Sequence, residues 1–204
     1  MLIDLRDLRV KYEMDITGIV HVGAHLGEEA EVYDEMGVPQ VLWIEGNPDL
    51  MAPLEQHLGR FDAQTAVRAL ISNEHGVELS FNIANNGQSS SILKFGTHRR
   101  LAPGIRFIET KRLRSTTLDR LLSELDFWRF NMLNLDLQGA ELLCLQGGTK
   151  ALQQVEYVYT EVNENHLYKK CALIGELDEF LADFDRVETV MTPGEWGDAL
   201  YVRC

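Results

Sequence analysis

Apolar and polar residues alternate in blocks along this chain. Residues 18–22 (GIVHV) form a short continuous apolar run, the pattern of a buried strand. Residues 28–36 follow with helical character, and Glu28 and Glu29 stand in the first turn, where acids suit the helix dipole. Residues 40–45 (QVLWIE) predict a second strand and residues 48–58 a second helix, with Asn47 as N-cap and Pro48 at the first helical position. Residues 66–72 predict a third strand, and the strict alternation of residues 77–83 (VELSFNI) a further one. The rhythm then breaks. Residues 84–104 are rich in Asn, Gly and Ser, and a stretch this long without periodicity marks a functional or mobile loop. Beyond it the pattern resumes: a strand at 105–113, a helix at 116–125 capped by Ser115 or Thr116, a strand at 131–137, and a helix at 140–146 stopped by Gly147-Gly148. A strand at 157–162 and an amphipathic helix at 173–184 come next. Two strands at 186–191 and 199–203, separated by the turn 193–198, form an antiparallel pair. Residues 1–15 alternate charge with Leu and Val and read as an amphipathic capping helix.

Strands alternating with helices predict an α/β fold, a mostly parallel sheet with helices on both faces. No internal repeat and no Pro-rich linker interrupts the chain, so residues 1–204 read as one domain. Ligands of such sheets sit beyond the carboxyl ends of the strands, near the switch in strand order. The residues to examine are therefore Gly23 to Gly27, Glu45 to Pro48, Ser72 and Asn73, Asp136 to Glu141, and Glu161 to Asn165.

Gly23-Ala24-His25-Leu26-Gly27 joins the first strand to the first helix of this sheet. A Gly just after a strand lets the backbone turn sharply and approach a ligand. The second strand ends in Glu45, twenty-two residues after Gly23, which is the spacing of a carboxylate that holds ribose hydroxyls. The glycine spacing is G-x-x-x-G, not the G-x-G-x-x-G of a dinucleotide site, and acids crowd the helix start. Those acids repel a pyrophosphate. They suit S-adenosylmethionine, which has no phosphate and carries a sulfonium and an ammonium. No P-loop is present. A plain strand-to-helix turn is the alternative reading of this stretch.

Charge and cysteines narrow the class. The net charge is −13, so general nucleic-acid binding is not expected. Residues 94–114 nevertheless gather Lys94, His98, Arg99, Arg100, Arg106, Lys111, Arg112 and Arg114 against the single acid Glu109. This is either a solvated, salt-bridged surface or a contact for an anionic acceptor. Cys144, Cys171 and Cys204 are odd in number and widely spaced, as in reduced cytoplasmic proteins. No run is long and apolar enough to span a membrane, and the N-terminus lacks signal-peptide features. A cytoplasmic location is expected; the oligomeric state is not readable.

Several segments together resemble the FkbM family of S-adenosylmethionine-dependent methyltransferases. They are residues 20–27 (VHVGAHLG), 44–48 (IEGNP), 89–93 (SSSIL), 117–119 (TLD), 134–141 (NLDLQGAE) and 159–162 (YTEV). The resemblance implies a Rossmann-like class I methyltransferase fold with a seven-stranded sheet. It also implies S-adenosylmethionine as methyl donor and a hydroxyl of a sugar, glycan or other small molecule as acceptor. On this basis His21, Gly23, Ala24, His25, Gly27, Glu45, Asn47, Ser72, Asn73, Ser90 and Asp136 are expected at the cofactor. Asp136, Glu161 and His166 are the catalytic candidates, with His166 a candidate base. Gln138, Glu141, Asn163, Arg99 and Arg100 are expected at the acceptor, and residues 85–104 are a candidate lid. The family usually has Asp where this chain has His21.

Blander readings stand beside these. Asn47 serves equally as a helix cap, Asp136 as a cap of the following helix, Glu141 as a partner of the helix dipole, and His166 as a surface histidine. Asp136, Glu161 and His166 also form a candidate divalent-metal set, a less favoured reading. An NAD-dependent dehydrogenase or epimerase and a non-catalytic cofactor-binding module are the other function classes.

Overall fold

The computed structural model describes residues 1–127 and 129–204. In chain order its elements are α1 (Leu5–Lys11), β1 (Ile19–Val22), α2 (Ala30–Glu35), β2 (Val41–Glu45), a 3-10 turn (Pro48–Leu50), α3 (Met51–Leu58), β3 (Gln64–Arg68), β4 (Leu70–Ile71) and β5 (Glu78–Ala84). Then follow α4 (His98–Leu101), β6 (Phe107–Thr116), α5 (Leu118–Leu125), β7 (Met132–Leu135), α6 (Glu141–Gln146), α7 (Thr149–Leu152), β8 (Tyr157–Asn163), α8 (Ile174–Phe180), β9 (Phe184–Met191) and β10 (Trp196–Arg203).

Seven strands form the main sheet in the order β3-β2-β1-β7-β8-β10-β9. The first five are parallel; β10 runs antiparallel to both β8 and β9. Strands β1, β2, β7 and β8 are buried along their whole length, because helices cover both faces. That is why they read as near-continuous apolar runs instead of alternating ones. Side chains still alternate between faces. Val20, Val22, Leu42, Ile44, Leu133 and Leu135 pack with Leu118, Leu122, Leu145 and Leu177 of α5, α6 and α8. Ile19, Trp43, Met132 and Tyr159 pack on the other face with Leu8, Tyr33 and Leu54 of α1, α2 and α3. The chain builds outward from β1 through β2 to β3, then returns to the opposite side of β1 with β7. The crevice between β1 and β7 is therefore the switch point, where ligands bind.

Several expected boundaries move. The strand expected at 66–72 is two strands. The Ala69 N–H still donates to Glu45 O, but the chain then leaves the main sheet and Leu70–Ile71 pairs with Ser115 and Thr116. Strands β4, β6 and β5 make a second, three-stranded sheet. Strict alternation announced β5 but not its partner, since pairing is a long-range property. The helix expected at 173–184 ends at Phe180, because Phe184 enters β9 opposite Arg203, whose guanidinium lies 4.3 Å from its ring centroid. Residues 196–198, read as a turn, are the first three of β10. The segment at 84–104 has a short helix, α4, and is stitched down by bridges between Asn82 and Ser91 and between Phe95 and Tyr168. The N-terminal helix forms at Leu5–Lys11, capped by the Asp4 side chain, and buries Leu5 and Leu8. Among the described residues, no helix is long and apolar enough to cross a membrane.

Candidate active site

A cavity of about 690 Å³ opens at the carboxyl ends of β1, β2, β7 and β8. The turn after β1 enters it first. Gly23 sits at φ +95°, and a Cβ there would lie 1.9 Å from Asp136 O, so only glycine lets the ends of β1 and β7 approach this closely. Glu45 ends β2, where its Oε2 accepts from the His25 N–H (2.8 Å) and its Oε1 from the Asn47 N–H (2.6 Å). Burial pushes its carboxyl up, and those two N–H donors oppose the rise. Each oxygen keeps a lone pair for a ligand. His25, itself at φ +45°, pairs through Nδ1 with Glu28 Oε1 at 2.5 Å. Burial opposes ionisation of Glu28, yet the His25 contact holds it at about 2.

The middle of the cavity is organised around Gln138. Its Nε2 donates to Asp136 Oδ1 (2.6 Å) and to Glu161 Oε2 (2.9 Å), while its Oε1 accepts from the Tyr168 hydroxyl (2.7 Å). The amide is thus fully used in holding two carboxylates together, and its backbone takes φ +53° to do so. Burial raises both carboxyls, Glu161 the more strongly because Asp136, Glu141 and Asp198 lie nearby. Glu161 Oε1 has no hydrogen-bond partner among the described residues, although Glu161 is buried. Glu161 also lines the cavity, and a buried carboxylate oxygen without a donor calls for a partner. Asp198, opposite Glu161 in the β8–β10 pairing, accepts from the Tyr159 hydroxyl (2.8 Å) and the Leu2 N–H. Trp196 shares its face two residues earlier and also lines the cavity.

The cradle of β1 is aromatic and polar. In register, His21 stands between Trp43 of β2 and Asn134 of β7, and Asn134 is next to Tyr159 of β8. His21 stacks on Trp43, with ring centroids 4.4 Å apart, and its Nδ1 lies 2.9 Å from the Tyr33 hydroxyl. Burial holds the imidazole below its usual value.

The structure brings His21, Gly23, His25, Glu45, Asn47, Ser90, Asp136, Gln138 and Glu161 to one cavity. Ala24, Gly27, Ser72, Asn73, Glu141 and Asn163 are not among its lining residues. Gly27 packs toward Leu54 and Leu58, and Ser72, just past β4, has its N–H on Thr116 O. Glu141 Oε1 accepts from the Leu137 and Gly139 N–H groups, so it braces the turn after β7 where an acceptor contact was expected. His166 is exposed in a separate concavity beside Cys171, its Nδ1 3.1 Å from Cys171 O, and does not join Asp136 and Glu161. Arg99 and Arg100 are exposed on α4, while His98 and Leu101 of that helix face the cavity. The expected anionic contact through these arginines is not part of this site. Among the described residues, no group of three or more His, Cys, Asp or Glu is disposed to hold a metal ion. Sequence reading missed the apolar wall of Leu70, Phe81 and Ile92, because the second sheet brings it there. It also missed Glu29 as a cavity group, having taken it as a partner of the helix dipole.

Comparison with known proteins agrees with this geometry. The family description "Methyltransferase FkbM domain" matches residues 21–187. A 2-O-methyltransferase, NoeI of Sinorhizobium fredii, is 23% identical over 177 residues, covering 83% of this chain and 72% of that protein. The fold is shared with magnesium protoporphyrin IX methyltransferase of Synechocystis, solved with bound S-adenosylmethionine (TM-score 0.55, 8% identity, 98% of this chain and 76% of that one). It is shared also with the ribosomal protein L11 methylase of Lactobacillus delbrueckii (TM-score 0.52, 13% identity, 98% and 77%). With the family match spanning most of the chain, this protein belongs to the FkbM family of S-adenosylmethionine-dependent methyltransferases.

Proposed function

We propose that this enzyme methylates a hydroxyl of a neutral sugar or glycan, with Glu161 as the group that takes the hydroxyl proton. One observation carries the reading: the cavity that holds Gly23 and Glu45 continues past Asp136 to Glu161 and Trp196, which line the same space. The residues present fit S-adenosylmethionine. Glu28, Glu29, Glu45, Asp136, Glu161 and Asp198 line the cavity, and no Lys or Arg is among its lining residues. That field suits a sulfonium and an ammonium and disfavours a phosphate. Gly23 leaves the close approach a cofactor backbone needs, and Leu70, Phe81 and Ile92 offer an apolar wall for its base.

When bound, the cofactor supplies a methyl group on positively charged sulfur. The protein's tasks are then placement, exclusion of water and removal of one proton. Glu45 is the ribose anchor. Asp136 faces the cationic end, where a positive charge draws its carboxyl back toward ionisation. Glu161 would take the hydroxyl proton as the methyl group passes from sulfur to the acceptor oxygen, leaving S-adenosylhomocysteine, while Gln138 keeps Glu161 Oε2 fixed. Its burial makes it a stronger base than an exposed carboxylate. Trp196 offers an aromatic face to a sugar ring, and the acidic lining argues for a neutral acceptor. The fold of 85–104 over the site, with Ser91 Oγ donating to Gln138 O (2.9 Å), supports a lid role.

The test is a turnover screen that follows S-adenosylhomocysteine formation with neutral methyl glycosides, uronic acids and phenols as acceptors. Turnover with a neutral glycoside, lost in Trp196→Ala while S-adenosylhomocysteine still binds, is the expected result. Turnover confined to uronic acids or phenols sinks the acceptor assignment.

A further inference from the structure

The methionine end of the bound cofactor is a zwitterion and needs both acceptors and a donor. The acceptors are plain: Glu29 and Asp136 lie near His21 among the lining residues, with Asp198 near the Met1 nitrogen. Donors are scarce. The Gly23 and Ala24 N–H groups already bond Ile44 O, and the His25 N–H bonds Glu45. The Asp136 N–H bonds Val22 O, and both N–H bonds of Gln138 Nε2 go to Asp136 and Glu161. The Leu2 N–H is taken by Asp198, and the Met1 nitrogen is paired with Glu29 at 3.3 Å. The Met1 ammonium keeps two further N–H groups, and His25 and Trp196 also line the cavity; the buried ring on the wall at the end of β1 is His21.

Which of its nitrogens carries the proton is decided behind it. Asn134 Nδ2 donates to the Tyr33 hydroxyl oxygen (2.6 Å), so the Tyr33 proton goes to His21 Nδ1 (2.9 Å). The opposite amide orientation would put the NH2 where Asn134 Oδ1 now stands without a partner among the described residues. An orphaned buried NH2 is the rarer and costlier arrangement. With Nδ1 an acceptor and the ring kept neutral by burial, the imidazole's own hydrogen is on Nε2. Stacking on Trp43 holds the ring plane.

We propose that His21, locked as the Nε2–H tautomer by the Asn134–Tyr33 relay, donates to the carboxylate of the cofactor's methionine part. The inference rests on the cofactor reading above, and it makes His21 a binding and positioning residue for that end alone.

Two nucleosides separate the roles. S-adenosylhomocysteine carries the amino-acid part; 5′-deoxy-5′-methylthioadenosine keeps the adenosine and sulfur without it. Calorimetric titration of wild type and His21→Ala should show at least a tenfold loss for the first and less than a twofold change for the second. Equal loss for both makes His21 merely structural and overturns the proposal, as does no loss for either. If wild type binds neither nucleoside, the cofactor reading itself falls and His21 with it. Nitrogen-15 NMR of wild-type His21 guards against a variant that does not fold. Protonated Nε2 with bare Nδ1, and an Nε2–H resonance that moves with S-adenosylhomocysteine but not with methylthioadenosine, is expected. Protonation on Nδ1 overturns the assignment.

Discussion

The backbone N–H of His25 lies 2.8 Å from Glu45 Oε2, so the turn after β1 is tied to the last residue of β2. One carboxylate thereby shapes the glycine turn and faces the cavity. Replacing Glu45 by Ala should weaken S-adenosylhomocysteine binding at least tenfold, about 1.4 kcal/mol. Glu45→Gln keeps one acceptor oxygen and should fall between the two. Calorimetric titration checks both, and an unchanged affinity in Glu45→Ala removes Glu45 from the site.

The sequence offered His166 as the candidate base and Glu161 as a further catalytic candidate, and their surroundings differ. His166 stands outside the cavity on Cys171 O. Glu161→Gln should lower kcat about 100-fold or more, in the range of general-base removal. His166→Ala should leave kcat within about twofold. Steady-state kinetics with an acceptor from the screen decides; a large kcat loss in the His166 variant would reverse the assignment.

Gly23 is both left-handed and in contact with β7. Gly23→Ala must accept φ +95° and a Cβ placed 1.9 Å from Asp136 O. The conformational penalty and the overpacking together predict a loss of about 2–5 kcal/mol. Urea unfolding measures it. A loss below about 1 kcal/mol would mean the β1–β7 contact is looser than drawn.

Burial pushes the Glu141 carboxyl up to about 7, against an ordinary value of 4.5. Between those values the folded protein binds more protons than the unfolded chain, so stability falls as pH rises. The contribution is complete below pH 4.5 and is lost as pH passes through about 7. Asp136 and Glu161, raised by the same burial, act with the same sign. Tm should therefore decline from pH 5 to pH 8, and the decline should be shallower in Glu141→Gln. Differential scanning calorimetry across that range is the check, and a Tm that climbs contradicts the buried state of these acids.

Much of the cavity's lining was legible because its parts follow strands directly. Gly23 and Glu45 sit one turn past apolar runs, and Asp136 and Glu161 end two others, so local pattern and the switch-point rule were enough to select them. The same rule over-selected. Glu141 and Ser72 also follow strands, yet one braces a turn and the other bonds Thr116 O outside the cavity lining, because position along the chain says nothing of which way a side chain points. His166 and Arg99 were chosen by chemistry alone, and chemistry does not report burial.

Periodicity and turn residues by themselves determined the α/β class, the parallel core, the glycine turn and the carboxylates at the strand ends, since each is a property of a few consecutive residues. Only the tertiary structure decided that Gln138 joins Asp136 to Glu161, that Tyr33 and Asn134 orient His21, and that β4, β5 and β6 leave the main sheet to wall the cavity. Those relations join residues as many as 101 positions apart, and only packing on a common sheet brings them within a hydrogen bond of one another.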